Sequence, residues 1–156
     1  MQNDLIPDAL YKDILEYLPI VTVDIIVWSP LGFLMGKRKN PPMKDAWWVP
    51  GGRLLKGEQP EDAVHRKVRE ETGLEITHIK FLGFKNLLFG DSAFGPATHC
   101  VDLIYRAEVR EVTDPTSDNQ HSDLQWFSYI DPQWDERIRD VLTLDHTLNG
   151  TTKHHQ

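Results

Sequence analysis

A helix that ends in two adjacent carboxylates constrains this chain more than any other feature. From Pro60 to Thr72 the pattern is helical, with Pro60 suited to a first turn and Gly73 to the position just past the end. Glu70 and Glu71 fall in the last turn. There they oppose the helix macrodipole, at roughly a few tenths of a kcal/mol each, and they repel one another. Two readings fit. Either Arg66 pairs with Glu70 and Lys67 with Glu71 at i,i+4 on a solvated face, or a bound cation offsets the charge. The residues ahead of the helix favour the cation. Gly51-Gly52 lets the backbone pass close to a ligand, and Glu58 lies where it reaches back along the helix. Carboxylates and a backbone carbonyl are the hard oxygens that Mg²⁺ takes together with substrate phosphates.

The chain around this segment has 156 residues, which fits one domain over 1–156. That length buries enough surface to fold without a disulfide or metal staple. Its formal net charge of −7 argues against a nucleic-acid polymer as partner, since no basic stripe exists to displace counterions. A small anionic ligand stays open, because a metal ion and a few arginines invert the field locally. No apolar run approaches the roughly 18–20 residues of a membrane span. Met1 to Asp8 lacks the basic and apolar regions of a signal peptide, so the expected location is the cytoplasm. Cys100 is the single cysteine, and Val101, Leu103 and Ile104 after it mark a buried strand residue, not a nucleophile.

Periodicity predicts a short amphipathic helix over Pro7 to Tyr17, inside an N-terminal segment of residues 1–18. Ile20 to Trp28 reads as a strand covered on both faces. A Ser29-Pro30-Leu31-Gly32 turn follows, then a return strand from Phe33 to Gly36. Strands are predicted over Ile76 to Phe89, Thr98 to Val109 and Leu124 to Tyr129. A last helix is predicted from Pro132 to about Leu144, with a frayed tail over 151–156. Strands with only two or three helices among them indicate a mixed α+β sandwich, not a doubly wound sheet. Asp24 interrupts an apolar strand, where an unpartnered carboxylate is costly, so it reads as a working residue. Trp47 and Trp48 read as packing.

The helical segment and its approach resemble the Nudix box, G-x5-E-x7-R-E-U-x-E-E-x-G-U with U aliphatic. Gly52, Glu58, Arg66, Val68, Glu70, Glu71, Gly73 and Leu74 fall on its fixed positions. Lys67 departs, standing where the box has Glu. The resemblance implies an α/β/α sandwich on a mixed sheet, with the box as loop, helix and loop. It also implies hydrolysis of a nucleoside diphosphate linked to another group.

Pro19 to Asp24, Gly36-Lys37-Arg38, Trp48 to Arg53 and Asn119 to Asp123 further resemble the GDP-mannose mannosyl hydrolase branch. In that branch water attacks the sugar C1, releasing GDP. By position, one Mg²⁺, or Mn²⁺, is then held by the Gly51 carbonyl, Glu71 and Gln120. Glu70 holds a second ion or an outer place. Lys67 adds positive charge, which lowers the number of divalent ions expected. His121 is implied as general base, its pKa suited to neutral pH. Arg38 and Arg53 clamp the diphosphate, Asp24 lies near the sugar, and Arg66 orients the glutamates, with Glu58 in a supporting role. Leu5, Ile6 and Tyr11 are implied to reach the nucleotide of a neighbouring subunit in a homodimer, Tyr11 by stacking. Cys100 stands where the branch has a tyrosine, and Leu87 to Pro96 lacks its polar and aromatic pattern.

The leading expectation is therefore C–O cleavage of a GDP-sugar. P–O cleavage of a nucleotide-sugar or nucleoside triphosphate is the alternative. A catalytically silent nucleotide sensor is the third.

Overall fold

The computed structural model describes residues 6–116 and 121–148, without the side chains of His121 and Ser122. Within it, the chain runs α1 (Asp8–Tyr17), β1 (Ile20–Ser29), β2 (Gly32–Arg38), β3 (Trp47–Trp48), β4 (Gly51–Arg53), α2 (Pro60–Thr72), β5 (Ile76–Phe89), β6 (Thr98–Val109), β7 (His121–Phe127) and α3 (Glu136–Thr143). The strands form one sheet in the order β3-β2-β1-β6-β5, with β4 on β1 and β7 on β2. β1 and β6 are parallel and the other pairs antiparallel, so the sheet is mixed.

β1 is the central strand, and Val23 to Val27 are all buried, as a strand covered on both faces requires. Val23, Ile25 and Val27 pack with Ala63, Val64 and Val68 of α2. Ile26 packs the opposite way, with Phe33, Met35 and Ile138, Val141 and Leu142 of α3. Each such side chain contributes roughly 1.5–3 kcal/mol when fully buried. The two cores, one on each face, make the α/β/α sandwich.

Local chemistry sets the helix ends. Glu61 and Asp62 lie in the first turn of α2, where the dipole favours them. Gly73 ends α2 in the left-handed region, φ 71°, and its N–H returns to the Arg69 carbonyl. α3 starts at Glu136, later than periodicity indicates, because the Asp135 side chain accepts the Arg137 N–H and caps it there. β7 begins at His121, earlier than its apolar run, because its polar start pairs with Lys37 and Arg38. Among the described residues no helix is long and apolar enough to cross a membrane.

Candidate active site

A cavity of about 630 Å³ opens between α1, the start of β1, the Gly51–Arg53 strand and the loop before β6. Its lining brings together Asp24, Arg38, Gly51, Arg53, Lys67 and Glu71 from four separate elements. Ile6 and Tyr11 line this same cavity in their own chain. Leu5, Gln120 and the 151–156 tail lie outside the described residues, as does the His121 side chain.

The box is built from the loop before α2 and the far end of that helix. Arg66 is its staple. It donates from Nε to Glu58 at 2.7 Å, and from its terminal nitrogens to Glu58 (2.9 Å), the Arg53 carbonyl (3.0 Å) and Glu70 (3.4 Å). The Arg66 guanidinium holds the Glu58 carboxyl below its ordinary pKa. Loop and helix are thereby fixed to each other. Glu71 is 3% exposed. One of its oxygens accepts the Gly51 N–H at 3.1 Å, and the other meets Lys67 Nζ at 3.1 Å.

Both i,i+4 pairs foreseen for this helix, Arg66–Glu70 and Lys67–Glu71, are formed, and Lys67 also reaches Glu70 at 3.5 Å, so one ammonium spans both acids. These oxygens suit a hard divalent cation. Glu71 is held at the glycine strand, nearly closed to solvent, and already faces positive charge.

Gly51 and Gly52 differ in what confines them. A Cβ at Gly51 would overlap the Asp24 carboxyl and the Val23 backbone carbonyl, while one at Gly52 would meet the movable end of Lys67. Gly51→Ala is therefore expected to lower stability by about 2–3 kcal/mol. Gly52→Ala should keep its fold and displace only Lys67. Denaturant unfolding of the two variants checks this, and equal losses would contradict it.

Arg53 is carried by β4, which pairs with β1 at Thr22. Its guanidinium lies over the Tyr11 ring, 5.3 Å from the centroid, and Tyr11 meets Phe94 edge-on at 5.0 Å. One terminal nitrogen of Arg53 is buried without a hydrogen-bond partner, a donor set for an anion. Arg38 donates from Nε to the Pro42 carbonyl at 2.7 Å. In the β2–β7 ladder its backbone register partner is His121.

Asp24 is 6% exposed, and its carboxyl accepts Trp48 Nε1–H at 3.0 Å. Trp48 itself packs on Phe89, and Trp47 on Phe127. Beside Asp24 lies Asp102, which sequence reasoning passed over. The parallel register puts Thr22 opposite Asp102, and the Thr22 hydroxyl donates to it at 2.7 Å. The signal was present: Asp102 interrupts an apolar run as Asp24 does. Burial, then the neighbouring Asp102, raises the Asp24 pKa well above the carboxylate range; burial raises that of Asp102. Burial also pushes the Cys100 thiol up to about 12, so it stays protonated and is no nucleophile at neutral pH.

A carboxyl whose pKa is raised by folding stabilises fully below its unfolded value, and that contribution is lost as pH climbs through the folded value. Asp102→Asn removes this loss. Its thermal midpoint relative to the wild type should therefore rise as pH goes from about 5 to about 8. A margin that shrinks over that range would contradict the sign.

A domain profile described as NUDIX domain matches residues 18–144. The chain belongs to the NUDIX family. The Nudix chain is 34% identical over 128 residues to the low-salt glycan biosynthesis protein Agl8 of Haloferax volcanii, covering 78% of this chain and 79% of that one. It is 34% identical over 91 residues to the ADP-ribose pyrophosphatase of Methanocaldococcus jannaschii, covering 58% of this chain and 52% of the relative. The Nudix fold superposes on a MutT NUDIX hydrolase of Burkholderia pseudomallei with a TM-score of 0.68 at 26% identity, covering 81% and 98% of the two chains.

Proposed function

We propose that this Nudix hydrolase cleaves a nucleoside diphosphate sugar of the GDP-hexose type, with water attacking the anomeric carbon. The observation that carries this is Lys67, whose ammonium contacts Glu71 at 3.1 Å and Glu70 at 3.5 Å. It supplies positive charge where attack at phosphorus calls for further metal ions. One divalent ion then suffices to ease departure of a diphosphate.

In this reading water adds to C1 while the C1–O bond breaks. The bonding pair leaves on the diphosphate oxygen, and the water gives its proton to His121. Pairing of His121 with Arg38 in the β2–β7 ladder supports that role. Arg38 and Arg53 hold the diphosphate and meet the charge growing on it. Asp24 contacts the sugar. Gly51 through its carbonyl, Glu71 and Gln120 would hold Mg²⁺ or Mn²⁺, with Glu70 beside them, and such an ion would supply charge neutralisation for a departing diphosphate. Agl8 is named for glycan biosynthesis, which agrees with a sugar-bearing substrate. A homodimer belongs to the same reading. β5, at the end of the sheet order, exposes Phe84 (63%) and Leu88 (62%), and a second copy would cover them.

P–O cleavage is the second reading. The intact Glu70–Glu71 pair favours it, as does the likeness to a protein named ADP-ribose pyrophosphatase. Hydrolysis in ¹⁸O-labelled water separates the two. Label in the free sugar, with unlabelled nucleoside diphosphate, is expected; label on phosphate would overturn carbon attack.

Lys67→Glu restores the acid of the box and removes the ammonium. The variant should bind two Mn²⁺ per chain where the wild type binds one, as counted by electron paramagnetic resonance. An unchanged count would show that Lys67 does not limit the metal.

A further inference from the structure

One face of α1 is turned to the cavity. Asp8, Tyr11 and Leu15 stand at i, i+3 and i+7, so they share that face, and all three line the cavity. Leu15 is buried. Tyr11 meets Phe94 of the β5–β6 loop edge-on at 5.0 Å. The Phe94 N–H donates to Ser92 Oγ at 3.2 Å, which steadies the loop that carries the ring. Asp8 is the one charge on this face. The helix dipole favours an acid in the first turn but does not choose the side on which it stands. The Asp8 carboxylate is exposed, and among the described residues it has no hydrogen-bond or ion-pair partner. The cations of the cavity, Arg38, Arg53 and Lys67, are carried by β2, β4 and α2. The first turns of α1 thus offer an aromatic ring and a free acceptor side by side, on a different element from the groups assigned to the diphosphate.

We propose that Asp8 is a specificity residue that reads the base of the nucleotide and selects guanine, with Tyr11 and Phe94 as the aromatic wall against which the base lies. This rests on the nucleotide-sugar reading above and adds the residue that identifies the base. An ionised carboxylate only accepts, through two oxygens. Guanine presents two adjacent donors, N1–H and the 2-amino group, which a carboxylate takes as a pair of charge-assisted bonds. Adenine sets one amino donor beside a ring acceptor, and uracil sets one N–H between two carbonyls. Either base turns an acceptor toward the carboxylate. A ring laid on Tyr11 displaces water from Asp8, and only a base with matching donors replaces what is lost. Selection then comes from an attractive and a repulsive element together. The diphosphate extends from the base toward Arg53, whose guanidinium lies over the Tyr11 ring.

The test is calorimetric, on the full chain with Mg²⁺ and with GDP, inosine diphosphate and ADP as ligands, so that neither the sugar nor the bond cleaved enters. The wild type should bind GDP about tenfold more tightly than ADP. Inosine diphosphate, which keeps N1–H and lacks the amino group, should fall between them. Asp8→Asn puts a donor in place of one acceptor and so matches the adenine edge. It should weaken GDP about tenfold and strengthen ADP, reversing their order. Asp8→Ala is the second variant: it should lose the preference for GDP without gaining ADP. A merely structural role for Asp8 would weaken all three ligands alike and keep their order. That result, or equal wild-type affinities for GDP and ADP, overturns the proposal and leaves the nucleotide reading standing. If none of the three diphosphates binds, the nucleotide reading fails and takes this proposal with it.

Discussion

Glu71→Gln is expected to lower kcat by about 10²–10³-fold while leaving the fold intact. Glutamine keeps the shape and can still accept the Gly51 N–H, a bond of 3.1 Å in the wild type. What it loses is charge. Glu71 is the most buried acid of the box at 3% exposure, and Lys67 reaches it more closely than Glu70, at 3.1 Å against 3.5 Å. A neutral amide there leaves the ammonium balanced by Glu70 alone and weakens any divalent cation beside Gly51. The variant should therefore lose Mg²⁺ affinity and turnover together, with little change in thermal midpoint. Steady-state kinetics at several Mg²⁺ concentrations, with unfolding curves alongside, check this. Full activity in Glu71→Gln would remove the box from the chemistry.

Arg53→Ala is the second large effect, about 10²-fold in kcat/KM. The backbone of Arg53 is fixed by the β1 ladder and by Arg66, which donates to its carbonyl at 3.0 Å. Its side chain is free of that duty, with one terminal nitrogen unpartnered and the guanidinium over Tyr11. Truncation should spare the fold and remove the donors that meet a leaving diphosphate. Arg53→Lys should recover little, because an ammonium lacks the planar fork that grips paired oxygens and stacks on a ring. Recovery by lysine to near wild-type rate would show that charge alone matters.

Much of this site is legible in the sequence because it is local. The box is one continuous segment, and the spacing from Gly52 to Gly73 sets the loop, helix and αL cap that the structure contains. The sandwich follows from β1, whose largely apolar run requires cover on both faces. Asp24 stands out as a charge in that run.

Other parts depend on contacts between distant residues. β3 and β4 are two and three residues long, too short for any periodicity, and exist through pairing with β2 and β1. Asp102 becomes part of the site only because β6 lies parallel to β1, with Thr22 in register. The amphipathic pattern of α1 foretells a helix, yet not that Tyr11 meets Phe94 and Arg53 at the cavity wall.

The most direct measurement is a Mn²⁺ titration of the wild-type chain with nucleoside diphosphate present, followed by electron paramagnetic resonance. One tightly held ion per chain, lost in Glu71→Gln, is the expected result. Two or more tight ions in the wild type, or one that persists unchanged without the Glu71 charge, would contradict a single-metal site built on Glu71 beside Lys67.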